Sequence, residues 1–108
     1  MPVETPLAIH TFIEATNRED TDAFLASFSD DAVLDDWGRV FTGRDGIASW
    51  NDSDNIGKHS RFDLVEIVVG TTPDQFVVTI DVSGEGYNGL GTLTFTVAGE
   101  RVTSLVIT

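Results

Sequence analysis

Two adjacent carboxylates, Asp35 and Asp36, followed at once by Trp37 and further along by Trp50, are the side chains that point most directly to chemistry. A carboxylate becomes a useful general base when apolar surroundings disfavour its charge. The run Ala32-Val33-Leu34-Asp35-Asp36-Trp37 reads as a short strand, so successive side chains point to opposite faces. Asp36 then shares a face with Leu34, and Asp35 shares one with Val33 and Trp37. The pair is therefore not expected to act as a shared-proton dyad. Whichever acid accompanies the interior face is a carboxylate against apolar walls. The pattern leaves a second reading open, in which both acids sit at the rim, hydrated or bonded to backbone. Trp37 and Trp50 suit a core, a dimer contact or a pocket wall.

Other candidates carry less. His10 and His59 are distant in sequence, and each reads as a surface residue unless its surroundings shift it. His10 and Glu14 lie four apart on one helical face and are able to meet. The run Asp52-Ser53-Asp54-Asn55-Ile56-Gly57 has some look of a calcium loop, with Gly57 and Asp63 at its sixth and twelfth places. Ile56 stands where an oxygen ligand is needed, the usual final Glu is an Asp, and two flanking helices are missing. A solvated polar loop is the expectation there. Phosphate-binding glycine loops, G-x-S-x-G elbows and H-E-x-x-H motifs are absent. With no cysteine, thiol nucleophiles, thiolate metal sites and disulfide frameworks are excluded. No metal and no cofactor are expected.

A chain of 108 residues with 41% hydrophobic content is expected to form one domain with one core, spanning 1–108. Eighteen acidic and six basic residues give a net charge of −12. Such a field repels phosphate backbones and anionic membranes, so no nucleic-acid or membrane partner is expected. No apolar run approaches a membrane span of ~20 residues. The opening MPVETPLAIH lacks the basic and apolar regions of a signal peptide, so a soluble cytoplasmic protein is expected.

The elements that must position the acids read as helices first and strands second, which suggests an α+β fold with an antiparallel sheet. Thr5 or Pro6 opens a first helix whose stripe is Ile9, Phe12, Ile13 and Thr16. A second helix is predicted from Thr21 to Phe28, capped by Asp20 or Thr21 and ended by Ser29-Asp30-Asp31. Gly38 bends the strand that carries the acids, and Arg39-Val40-Phe41-Thr42 is its return. Gly43-Arg44-Asp45-Gly46 turns into a short helix bearing Ile47, Ala48 and Trp50, followed by a loop from Asn51 to Lys58. From Arg61 the period becomes two, and a first long strand is followed by a three-strand meander whose hairpin signal is Asn88-Gly89.

This order of elements resembles the nuclear-transport-factor-2-like superfamily, and within it the SnoaL-like and ketosteroid-isomerase-like branch. The resemblance rests on Thr11-Phe12-Ile13-Glu14-Ala15-Thr16-Asn17, on Phe28-Ser29-Asp30-Asp31-Ala32-Val33-Leu34-Asp35-Asp36, and on Gly43-Arg44-Asp45-Gly46-Ile47 followed by Trp50. It implies a cone, with a curved antiparallel sheet wrapped over three N-terminal helices and a pocket between them. By the same resemblance Asp36 falls where the isomerases keep their general base. Trp50 falls on an apolar pocket wall, Val78 and Ile80 on the pocket side of a strand, and Phe12 where an oxyanion-hole tyrosine stands. Gly91 or Thr92 replaces a protonated aspartic acid. With neither donor present, steroid isomerisation by that route is not expected.

The expectation is a pocket protein for a small apolar or polycyclic metabolite, with Asp36 available to abstract a proton beside a carbonyl, as in an isomerase or cyclase. The alternative is a non-catalytic ligand-binding or dimerisation module. Phe12→Tyr is expected to return a donor to the pocket. The resemblance also implies a homodimer formed through the outer sheet face, with Thr92, Thr94, Thr96 and Asp81 at the contact.

Overall fold

A computed structural model of the chain describes residues 4–108. Helix α1 runs over Leu7–Asn17, with Pro6 at its N-cap, where a missing N–H costs the helix nothing. Its buried stripe is Ala8, Ile9, Phe12, Ile13, Ala15 and Thr16. Helix α2 covers Thr21–Ala26 and is capped by the Asp20 side chain, which accepts from the Ala23 N–H at 3.1 Å. Strand β1, Phe28–Asp36, and strand β2, Arg39–Thr42, form a tight hairpin. Helix α3, Gly43–Asp54, follows, then a 3₁₀ turn at Ile56–Lys58. Four long strands complete the chain: β3, Arg61–Val69; β4, Gln75–Ser83; β5, Gly89–Ala98; and β6, Arg101–Ile107.

One six-stranded sheet has the order β2-β1-β6-β5-β4-β3. Four neighbour pairs are antiparallel, as expected, but β1 and β6 run parallel, so the sheet is mixed. That parallel seam joins the acid-bearing strand to the last strand, pairing Asp36 with Ile107. Register shifts in β1, in β3 between Leu64 and Glu66, and in β5 between Thr96 and Val97 bend the sheet around the helices.

Two sequence expectations need correction. The second helix stops at Ala26, because Phe28 is fully buried and already pairs with Val102 as the start of β1. Ser29-Asp30-Asp31 therefore lies in a strand. The predicted loop over 51–58 is instead the last turn of α3 plus the 3₁₀ turn. Its residues are weak helix formers, but the buried Asn51 Oδ1 accepts from Asn55 Nδ2 at 3.0 Å and from the Ile56 N–H at 3.4 Å. These bonds satisfy the helix end from within, and tertiary context overrides propensity. Gly57 allows the tight return, since a Cβ there would lie 1.5 Å from the Asp52 carbonyl oxygen.

The core centres on Phe12. Its ring lies 5.2 Å from those of Phe24 and Phe95, 5.6 Å from Phe62 and 6.0 Å from Phe28. One side chain of α1 thus touches α2, β1, β3 and β5. Each such ring pair contributes about 0.5–1.5 kcal/mol beyond area burial. Phe12→Ala is expected to cost about 3–5 kcal/mol by opening a cavity. Phe12→Tyr places a hydroxyl among ring faces and is expected to cost about 1–3 kcal/mol. Urea denaturation checks both values.

Candidate functional site

The tip of the β1–β2 hairpin sets the site. Trp37 and Gly38 both have positive φ, 53° and 92°, which matches the two-residue turn that suits twisted strands. Asp35 points outward and accepts the Gly38 N–H at 2.8 Å, so it serves the turn. Asp36, opposite in direction, lines a cavity of about 210 Å³. The alternation of the strand thus separates the two acids into a structural one and a pocket one.

Asp36 is anchored by one oxygen. Its Oδ2 accepts from Trp50 Nε1 at 3.0 Å and from Arg39 Nη2 at 2.5 Å. Oδ1 accepts no hydrogen bond among the described residues, and no buried side-chain oxygen or nitrogen there lacks a partner. Oδ1 therefore meets open space. The Asp36 side chain is 16% exposed, which fits a carboxylate at the edge of a hollow.

Arg39 also reaches Asp54 on α3, with Nη2 to Oδ1 at 3.1 Å. Burial alone would raise the Asp54 carboxyl, but the Ser53 hydroxyl and the Arg39 guanidinium outweigh it and hold it below the ordinary range. The same contacts, Asp54 first and then Asp36, raise the Arg39 guanidinium further. Arg39 is about half exposed, so this bridge orients the carboxylates more than it stabilises the fold.

The walls are apolar, from Trp50, Phe62, Val82, Leu93 and Ile107. Trp37, Tyr87 and Leu90 form a largely exposed lip. Asn55, Lys58 and Ser60, on the α3–β3 connection, supply polar groups to one side. Among the described residues, no cluster of three or more His, Asp or Glu side chains is arranged to hold a metal ion. A partly open hollow of this size exceeds the ~150 Å³ that accepts benzene and falls below the ~300–1,000 Å³ of drug-sized sites. One or two rings fit within, and further rings of a polycyclic ligand would lie against the lip.

Of the five site residues expected from sequence, Asp36 and Trp50 line the cavity together. Phe12, Val78 and Ile80 do not. All three are fully buried, and Phe12 is occupied by its aromatic neighbours. Val78 and Ile80 lie on the inner face of β4, but of that face only Val82 reaches the cavity. Gly91, not Thr92, is the position that faces it. A Cβ on Gly91 would meet Leu93 at an ordinary 3.5 Å. Arg39 and Ser60 were not singled out from sequence, and Asp54 and Asn55 entered only as part of the calcium-loop look-alike at 52–57. The four-residue spacing of Asn51 and Asn55 is the signal that lets their amides meet at the end of α3.

His59 is exposed at the border of the site and holds two loops. Its Nδ1 lies 2.7 Å from Glu19 Oε1, and its Nε2 lies 4.0 Å from Glu85 Oε2. Glu19, and then Glu85, raise its pKa above the ordinary value. The stabilisation is complete below the unfolded value near ~6.5 and is lost as pH rises through the raised folded one. Asparagine tolerates the left-handed backbone at this position, where φ is 52°. His59→Asn is therefore expected to lower Tm at about pH 6 and to leave it unchanged at about pH 9. Thermal unfolding at the two pH values checks this.

A bent mixed sheet closed by helices over an acid-edged cavity is the architecture of the NTF2-like proteins, which include ketosteroid isomerases and polyketide cyclases. Residues 9–105 match the model of the SnoaL-like domain, and the chain belongs to that family. A candidate polyketide cyclase from Sinorhizobium meliloti superposes with a TM-score of 0.82 and 27% identity, over 96% of this chain and 95% of that one. A Mycobacterium tuberculosis protein solved with estradiol-17beta-hemisuccinate gives 0.82 and 16%, over 94% and 89%. The Delta 5-3-ketosteroid isomerase of a Mycobacterium species gives 0.76 and 18%, over 94% and 88%. No curated protein shows significant sequence similarity to the chain. No helix among the described residues is long and apolar enough to cross a membrane.

Proposed function

We propose that this SnoaL-like protein binds a small apolar carbonyl metabolite in the cavity and that Asp36 removes a proton beside the carbonyl. The supporting observation is the one-sided anchoring of Asp36. Trp50 and Arg39 hold Oδ2, Oδ1 accepts no bond among the described residues, and the residue lines an apolar-walled hollow. A base held in this way reaches its proton without first breaking a hydrogen bond. The proton passes from carbon to Oδ1, the C–H electron pair becomes the enolate double bond, and the carbonyl oxygen takes the negative charge. Return of the proton to another carbon completes an isomerisation, and attack of the enolate carbon on a second carbonyl closes a ring. Neither route needs a cofactor.

The developing oxyanion finds no side-chain donor from Phe12 or Gly91. Lys58 lines the cavity, makes no ion pair among the described residues, and supplies positive charge at its edge. The lost donor pair also supports the second reading, binding without turnover.

Hydrogen–deuterium exchange at the α-carbon of 1-tetralone in D₂O, followed by proton NMR, separates the two. The wild type is expected to accelerate exchange, and Asp36→Asn to slow it by about 10²-fold or more with Tm near that of the wild type. A wild type that binds 1-tetralone without accelerating exchange supports the non-catalytic reading.

The same proposal includes a homodimer in the cytoplasm. The outer face carries Thr92, Thr94, Thr96, Val106 and the exposed Val33 and Val40 near its centre and β2 edge. A stable contact needs to bury about 1,000 Å² or more. Light scattering is expected to give twice the chain mass for the wild type and the single mass for Thr94→Arg.

A further inference from the structure

We infer that Asn55 and Ser60 form a hydroxyl-recognition subsite, so that the ligand is an apolar molecule bearing a hydroxyl group. The inference rests on the reading above only in taking the cavity as a binding site, and it does not need Asp36 to act as a base. Both residues line the cavity, and they are 1% and 5% exposed. They are neighbours, for the Ser60 N–H donates to the Asn55 carbonyl oxygen at 3.1 Å.

The orientation of the Asn55 amide follows from a chain of donors. The Ile56 N–H can be accepted only by the oxygen of Asn51, which fixes Asn51 Oδ1. That oxygen also accepts from Asn55, so the group facing it is Asn55 Nδ2. The second N–H of Nδ2 goes to Thr16 Oγ1 at 3.1 Å. Both donors of Asn55 are thereby used within the protein, and its Oδ1 accepts nothing among the described residues. The Ser60 hydroxyl likewise has no protein partner there. Because no side-chain polar atom there is both enclosed and unpaired, these two oxygens keep access to open space, and both residues line the cavity.

An amide oxygen only accepts, so the ligand must bring a donor. Serine both donates and accepts. A hydroxyl matches the pair, donating to Asn55 Oδ1 and accepting from the Ser60 O–H. A ketone oxygen or a hydrocarbon placed there displaces water and strands the Asn55 acceptor, which is the penalty that makes such a site selective.

The test compares 2-naphthol with 2-methylnaphthalene, two probes of the same ring system and nearly the same shape, by titration of the tryptophan fluorescence. The expected result is about tenfold or greater preference for 2-naphthol, the factor that one well-made hydrogen bond supplies. Ser60→Ala is expected to shrink that preference while holding 2-methylnaphthalene affinity within about twofold. Because Asn55 also holds α1 and α3, Ser60→Ala is the informative variant. Equal affinity of the two probes overturns the subsite. A preference that Ser60→Ala leaves intact and Asp36→Asn removes also overturns it, since the phenol then lies on the carboxylate. If neither probe binds, the cavity reading and the subsite both fall. A retained preference in a protein that exchanges no α-proton keeps the subsite and removes Asp36 from catalysis.

Discussion

The cavity exists because aromatic bulk is concentrated at one end of the concave sheet. Phe12 gathers Phe24, Phe28, Phe62 and Phe95 around itself and packs the space under α1 with buried rings. No such cluster of rings fills the other end, where β5 presents Leu90 at the lip, Gly91 without a side chain, and Leu93 on the wall. Phe62 belongs to both regions, being a ring of the cluster and a wall of the cavity. A close-packed core and a hollow thus share one partition. The solidity of the first keeps the second open, since packed interiors relax only partly into adjacent voids.

The acid enters this frame through the parallel seam. Pairing of β1 with β6 brings Asp36 beside Ile107, and the positive-φ turn at Trp37-Gly38 stops the strand there. Asp36 consequently sits at the cavity edge instead of inside the core. Trp50, anchored against Phe24 with ring centres 6.3 Å apart, gives the carboxylate a fixed donor from α3. Arg39 gives it a second, more exposed one from β2. The tryptophan therefore has two duties, as apolar wall and as hydrogen-bond donor, and no aliphatic side chain performs both.

Much of this was legible in the sequence. The strand alternation predicted that Asp35 and Asp36 separate, and the family resemblance chose Asp36. Strands β3 to β6 follow directly from the period-two pattern after Arg61. The parallel pair was not legible, because alternation along β1 carries no information about the direction of its neighbour. The end of α3 was not legible either. Asn51 and Asn55 are poor helix formers whose role depends on Thr16, on the distant helix α1. Phe12, Val78 and Ile80 were assigned to the pocket by the family resemblance, and they do lie on inner faces. A face is set by periodicity, whereas the depth at which a hollow begins along that face is set by the volume of neighbours from other elements. The subsite residues Asn55 and Ser60 were hidden for the same reason, since their free oxygens are defined only once every other donor in the network is placed.

On the proposed function a ligand enters the hollow between α3 and the open end of the sheet, against Trp50 and beside Asp36. Intermolecular nuclear Overhauser contacts from bound 1-tetralone test it most directly. Contacts to the Trp50 indole and to the Leu93 and Ile107 methyl groups, with a shift of the Asp36 carboxyl carbon, are the predicted result. Contacts to the outer-face methyl groups of Val33, Val40 or Val106, with the Asp36 carbon unmoved, would contradict the account.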